Sequence, residues 1–185
     1  MALRHNLLHL LETQPVNKIS VSELCALSDI NRSTFYKYYN DPMDLLKHIE
    51  NGLFGDLENY LTRIRETQSL YETILAIVRS VYNHKDFCKI QLGFHGDSDF
   101  FKKMMYLAHD RNLDAWQKRY PHIAVPQLEY LYTFMAKGGM GIIEQWAGNG
   151  FSEPPDYIAH LIEAFCLDGT RALLGPDIID KSRGS

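Results

Sequence analysis

The chain has 185 residues, is 45% hydrophobic, and carries 23 acidic against 19 basic side chains, for a net charge of −4. That length suits one or two small domains with a real core, and no apolar run approaches the roughly 18 residues that span a bilayer. The opening MALRHNLLHLLE is too polar and too interrupted for a secretory signal, and three widely spaced cysteines, Cys25, Cys88 and Cys166, point to reduced core thiols in a cytoplasmic protein.

In chain order, residues 2–13 place Leu3, Leu7, Leu10 and Leu11 at helical spacing, and Pro15 ends the helix. Ser20 then precedes an apolar run with Glu23 three residues on, the pattern of a capping box. Val21, Leu24 and Cys25 share one face of the short helix that follows. Ser28-Asp29-Ile30-Asn31 breaks it, and Asn31 is placed to cap a second short helix over 32–38. Phe35 and Tyr39 fall on the inner side of that helix; Arg32, Ser33, Thr34, Tyr36 and Lys37 are left facing outward. An apolar back with a polar, basic front is what a DNA major groove accepts.

The run Asp29-Ile30-Asn31-Arg32-Ser33-Thr34-Phe35-Tyr36-Lys37-Tyr38-Tyr39-Asn40-Asp41-Pro42-Met43-Asp44-Leu45 resembles the N-terminal helix-turn-helix of the TetR family of transcriptional regulators. The resemblance implies that Ser20, Ser22, Asn31, Arg32, Ser33, Thr34, Tyr36, Lys37 and Lys47 contact an operator in double-stranded DNA. One departure stands out: Asp41-Pro42 occupies the place where the family often has a phosphate-binding lysine, and the next base is Lys47. Residues 1–50 hold Arg4, Lys18, Arg32, Lys37 and Lys47 against Glu12, Glu23, Asp29, Asp41, Asp44 and Glu50, close to −1. What matters for docking is charge on the docking face, and four of those acids sit at helix ends or caps.

Pro42, after the Asp41 cap, opens a long helix over 42–66 whose apolar stripe is Leu45, Leu46, Ile49, Leu53, Leu57, Leu61 and Ile64, with Gly52 and Gly55 weakening its middle. Helices are predicted over 70–84, 86–94, 98–119 and 126–147, and a last one to 174, with Gly148-Asn149-Gly150 and Ser152-Glu153-Pro154-Pro155 as the break between the final two. The tail 181–185 is expected to be unstructured. The reading is all-α, about nine helices: a helix-turn-helix unit at 1–47 and a regulatory and dimerisation unit at 48–180. The pattern Gly138-Gly139-Met140-Gly141-Ile142-Ile143-Glu144-Gln145-Trp146 resembles a subset of the TetR family related to dihydroxyacetone-kinase regulators.

The last two helices carry apolar faces, and three glycines in one of them each cost roughly 1 kcal/mol unless packing offsets it. The resemblance implies a homodimer built on Leu131, Met135, Gly138, Gly139, Ile142, Ile143, Trp146, Ile158, Ile162 and Phe165. It also implies a small-molecule effector cavity in the aromatic-rich middle, at Phe94, Phe101, Trp116, Tyr130 and Phe134, with Met104, Met105 and Met140 as an adaptable wall. Aromatic spacing alone does not separate such a cavity from ordinary core. No enzyme, metal or cofactor is expected. His95-Gly96-Asp97-Ser98 reads as a loop with a helix cap, because adjacent residues do not make a triad. His84, Asp86 and Cys88, or His5 and His9, lack further ligands at metal spacing. The expectation is a dimeric regulator on a palindromic operator, modulated by an apolar effector; the alternative is a TetR-like interaction module that has lost sequence-specific DNA binding.

Overall fold

The computed structural model describes residues 2–63, 69–92 and 98–174, with the backbone alone for 98, 99, 101 and 170–174. Ile64, Phe94, the His95-Gly96-Asp97 turn and the tail 181–185 lie outside the described residues, and the side chain of Phe101 does too. Among the described residues the fold is helical throughout, with no strand.

Helix α1 (Ala2–Leu11) is followed by a 3-10 turn at Val16–Lys18 and by α2 (Val21–Leu27). Ser20 caps α2, its hydroxyl accepting the Glu23 N–H at 3.1 Å. The reciprocal half of the expected capping box is replaced: Glu23 Oε1 accepts from Gln14 Nε2 at 3.2 Å, so the carboxylate fastens the preceding turn to α2. A left-handed Asp29 (φ 52°) makes the sharp turn into α3 (Arg32–Phe35). Asn31 stands at the N-cap without a side-chain cap bond; its carbonyl accepts from Thr34 and Phe35. Regular α3 is shorter than the predicted 32–38, but turn bonds from Lys37 to Thr34 and from Tyr38 and Tyr39 to Phe35 continue the winding.

Helix α4 (Pro42–Arg63) starts with interlocked acids. Asp41 Oδ1 accepts the Asp44 N–H at 2.8 Å, and Asp44 Oδ2 accepts the backbone N–H and the side-chain amide of Asn40 at 2.9 Å each. Two carboxylates near −1 segment charge are thus spent on a helix N-terminus, where the macrodipole favours them. The helix continues unbroken through Gly52 and Gly55. Leu45, Leu46, Ile49, Leu53, Leu57 and Leu61 are buried, as their spacing predicts. Burial of such side chains contributes about 1.5–3 kcal/mol each.

Beyond α4 come α5 (Leu70–Asn83), α6 (Lys85–Gln91), α7 (Ser98–Tyr106), α8 (His109–Arg119), α9 (Val125–Gly148) and α10 (Pro155–Leu174). The single helix predicted over 98–119 is two. Ala108 leaves helical geometry at φ −108°, ψ 3° without any Gly or Pro to mark the place. The cause is tertiary: His109 bridges to Glu129 of α9, and Ala108 is buried. Gly150 (φ 74°) and Phe151 (φ 59°) turn the chain from α9 to α10. Phe151 is held in that strained conformation by an edge-on contact with Trp146, whose Nε1–H donates to the Glu153 carbonyl at 3.0 Å. One continuous apolar cluster extends from Leu7, Leu24 and Phe35 along α4 to Trp146, Ile162 and Cys166. All three cysteines are free and buried. Burial pushes the Cys88 thiol up to about 12 and the Cys166 thiol up to about 11.

Candidate nucleic-acid interface and effector cavity

Phe35 is fully buried and its ring meets Tyr39 at 5.7 Å, so α3 is pinned from behind. In front, Asn31, Arg32, Ser33, Thr34, Tyr36 and Lys37 are exposed, as is Lys47 on the first turns of α4; Ser20 is exposed and Ser22 half-buried on α2. Ser20 spends a hydroxyl lone pair on the Glu23 cap. Among the described residues no side-chain hydrogen bond or ion pair engages Arg32, Lys37 or Lys47. The arrangement leaves an unneutralised cationic face on a rigid mount. Such a face can contact phosphates and base edges, with arginine suited to the two acceptors of guanine.

A second feature lies in the other half. A cavity of about 100 Å³, open to solvent on one side, is lined by residues of α5, α7, α8, α9 and α10. Its wall includes Thr73, Ile74 and Ile77, then Met104, Met105, Asn112 and Trp116, and from the last two helices Tyr132, Met135, Gly139, Met140, Ile143, Ile162 and Cys166. Of the expected ligand contacts, Trp116 lines it. Tyr130 and Phe134 do not: they are 78% and 62% exposed on the outer side of α9. The helical period explains this, because Leu128, Leu131, Tyr132, Met135 and Met140 hold the inner face. The methionines Met104, Met105 and Met140 do line the cavity, as their adaptability suggested. Thr73, Asn112 and Cys166 were missed. The available signal was the i, i+4, i+8 series Ala108, Asn112, Trp116, which puts an amide on the apolar side of α8.

The residues expected at a dimer interface divide in two. Leu131, Ile143, Trp146, Ile158 and Ile162 are buried within the chain, and Met135, Gly139, Ile143 and Ile162 face the cavity. Gly139 packs against α10 of the same chain: a Cβ there would stand 3.3 Å from Ile162 Cγ2. Ile142 is half-buried, and Gly138 and Phe165 are exposed. The outward face of α9 and α10 carries Tyr130, Phe134, Gly138, Gly141, Tyr157 and Phe165. Apolar content marks the hairpin in the sequence but does not separate its inward face from its outward one.

Between cavity and α4 stand two polar links. Lys103 Nζ lies 2.6 Å from Glu50 Oε1, and Arg111 Nη1 donates to the Leu61 carbonyl at 2.8 Å. His109 is half-buried, with Nδ1 2.8 Å from Asp110 and Nε2 2.9 Å from Glu129. Its pKa is raised, first by the hydrogen bond to Asp110 and then by that to Glu129, against the opposing effect of burial. The Tyr132 hydroxyl donates to the Met105 carbonyl, and burial pushes its pKa up to about 12. No described helix is long and apolar enough to cross a membrane.

No curated protein matches this sequence. Among solved structures, the dihydroxyacetone kinase operon activator DhaS is similar with a TM-score of 0.59 at 18% identity, over 92% of this chain and 95% of that one. The fatty acid degradation regulator FadR from Bacillus halodurans is similar with a TM-score of 0.66 at 12% identity, again over 92% and 95%. At those identities the likeness is one of fold. The TetR-type family described as "Transcriptional regulator C-terminal region" matches residues 68–168, which contain the cavity wall, α9 and most of α10. A helix-turn-helix front, a cavity-bearing helical body and this match agree: the chain belongs to the TetR family of transcriptional regulators.

Proposed function

We propose that this regulator acts as a homodimer on a palindromic operator, with residues 1–47 as the DNA-binding unit and 48–180 as the regulatory and dimerisation unit. The single observation that carries the DNA reading is the exposed, unpaired Arg32 and Lys37 on a helix whose back is locked by Phe35. In this reading α3 enters the major groove, Arg32 reads a base, and Ser33, Thr34, Tyr36 and Lys37 fix the register on the phosphates. Ser20, Ser22, Asn31 and Lys47 border the same contact.

Pairing uses the outward face of α9 and α10. Tyr130, Phe134, Tyr157 and Phe165 expose aromatic area around Gly138 and Gly141, where nothing stands within 4 Å of an added Cβ. An apolar patch with glycine gaps suits the close helix approach of a two-fold interface. A ligand in the cavity would act through α7 and α8 on α4, and only if it favours one spacing of the two reading heads.

The experiment is selection of bound DNA from a random pool at two salt concentrations, followed by sedimentation of the free protein. A two-fold symmetric site with half-sites about 34–36 Å apart, salt-dependent affinity and a dimer are expected. Failure to enrich any sequence would overturn the operator reading.

A further inference from the structure

The cavity among α5, α7, α8, α9 and α10 carries information about what enters it, and this inference rests on the effector reading of that site. Its wall among the described residues holds no Asp, Glu, Lys, Arg or His. The Cys166 thiol, held near 11 by burial, stays neutral. The Tyr132 hydroxyl is occupied by the Met105 carbonyl. Thr73 donates its hydroxyl hydrogen to the Ser69 carbonyl at 3.1 Å, which leaves lone pairs to accept with. The Asn112 carboxamide is different: it makes no hydrogen bond within the described chain. One amide, with both a donor and an acceptor, is therefore the unspent polar group on an otherwise apolar wall.

We infer that the cavity takes a small uncharged molecule with an apolar body and a single hydroxyl or carbonyl group, read by Asn112. Size sets the first limit. About 100 Å³ is less than the roughly 150 Å³ of an engineered cavity that admits benzene, so a body near one small ring fits. Met104, Met105, Met135 and Met140 can repack around its outline. Charge sets the second limit. A carboxylate or ammonium against this wall meets no counter-charge and loses part of its hydration, a larger cost than an amide contact returns. The head group sets the third. A hydroxyl can donate to Asn112 Oδ1 or Thr73 and accept from Asn112 Nδ2, whereas a hydrocarbon leaves that amide unpaired.

The test uses the full chain without DNA and four probes on one ring: cyclopentanol, cyclopentane, cyclopentanecarboxylate and cyclopentylammonium. Calorimetry gives affinities, and methyl NMR of labelled methionine locates the probe. Cyclopentanol should bind about tenfold more tightly than cyclopentane, the worth of one net hydrogen bond. It should shift the methyls of Met104, Met105, Met135 and Met140 and leave that of Met43, on α4, in place. Both ions should bind about a hundredfold more weakly than the alcohol. Asn112→Leu should remove the preference for alcohol over hydrocarbon while keeping cyclopentane binding. The inference is overturned if an ion matches the alcohol, if alcohol and hydrocarbon bind alike to the natural chain, if the preference survives Asn112→Leu, or if no probe moves the four methyls. Should Asn112→Leu fail to fold, the ranking of the four probes on the natural chain decides alone. DNA selection is a separate measurement, so loss of the operator reading and loss of this one are told apart.

Discussion

Arg111 Nη1 donates to the carbonyl of Leu61 at 2.8 Å, fastening α8 to the last turns of α4. Leu61 lies in the last described turn of α4, and its carbonyl accepts this charged donor. Asn112 and Trp116, on the same α8, line the cavity. In the proposed reading, a ligand that displaces α8 would act on α4 through this charged hydrogen bond. Arg111→Met keeps the aliphatic stem and removes the donor. We expect operator affinity without ligand, and ligand affinity, to stay within about threefold of the natural chain, while the ligand-induced change in operator affinity falls by about 1 kcal/mol. Titration of operator with and without ligand checks it. An unchanged coupling would assign the transmission to other contacts, such as Lys103 with Glu50.

Arg32 and Lys37 carry like charges on one short helix but are expected to do different work. Arg32→Ala should cost about 1–3 kcal/mol on the selected site and relax one base position. Lys37→Ala should weaken binding to all sequences similarly and lower the salt slope by about one. Binding measured on the selected site, a single-base variant and random DNA separates them. Equal loss on all three from both substitutions would remove the base-reading role of Arg32.

Much of this architecture was legible in the residues. The α4 stripe from Leu45 to Leu61, the Ser20 cap and the outward front of α3 follow from periodicity and capping chemistry alone. Three things were not legible. The break at Ala108 is imposed by His109 reaching Glu129 across to another helix, a contact between residues 20 apart. The Glu23 carboxylate accepts from Gln14, nine residues back across the turn, a contact that local capping patterns do not reveal. The third is the α9–α10 hairpin, apolar on two faces. Periodicity finds an apolar face but does not say which face meets its own chain. Leu131 and Trp146 therefore looked equivalent to Phe165, although the first two are buried within the chain and Phe165 is 60% exposed.

His109 supplies a pH dependence. Its pKa is raised by hydrogen bonds to Asp110 and Glu129, so the folded state binds the proton more tightly than the unfolded chain. The resulting stabilisation is fully present below the unfolded value of about 6.5 and is lost as pH rises through the higher folded value. His109→Gln removes it. The difference in urea stability between the natural chain and His109→Gln should be largest in mild acid and shrink as pH rises. A difference that stays constant across that window would show that the imidazole serves by shape alone, through its edge contact with the Tyr132 ring at 4.8 Å.

Gly138 and Gly139 are adjacent in sequence and opposite in surroundings. A Cβ on Gly139 would stand 3.3 Å from Ile162 Cγ2, whereas one on Gly138 would meet nothing within 4 Å. Gly139→Leu drives a branched side chain into the cavity wall and the α10 contact, and overpacking of that kind costs about 1–3 kcal/mol. Gly138→Leu places its Cβ in open space on an exposed position and improves helix propensity by about 1 kcal/mol. If the outward face of α9 and α10 pairs two copies, the second substitution fills the gap between them instead. Gly139→Leu should then lower the urea midpoint at every protein concentration. Gly138→Leu should leave or raise the midpoint of the dilute, dissociated chain and shift sedimentation from dimer toward monomer. Because a two-fold interface must set the spacing of both reading heads, Gly138→Leu should also weaken binding to a full palindrome far more than to a single half-site. A Gly138→Leu protein that remains dimeric with full palindrome affinity would move the interface to another face.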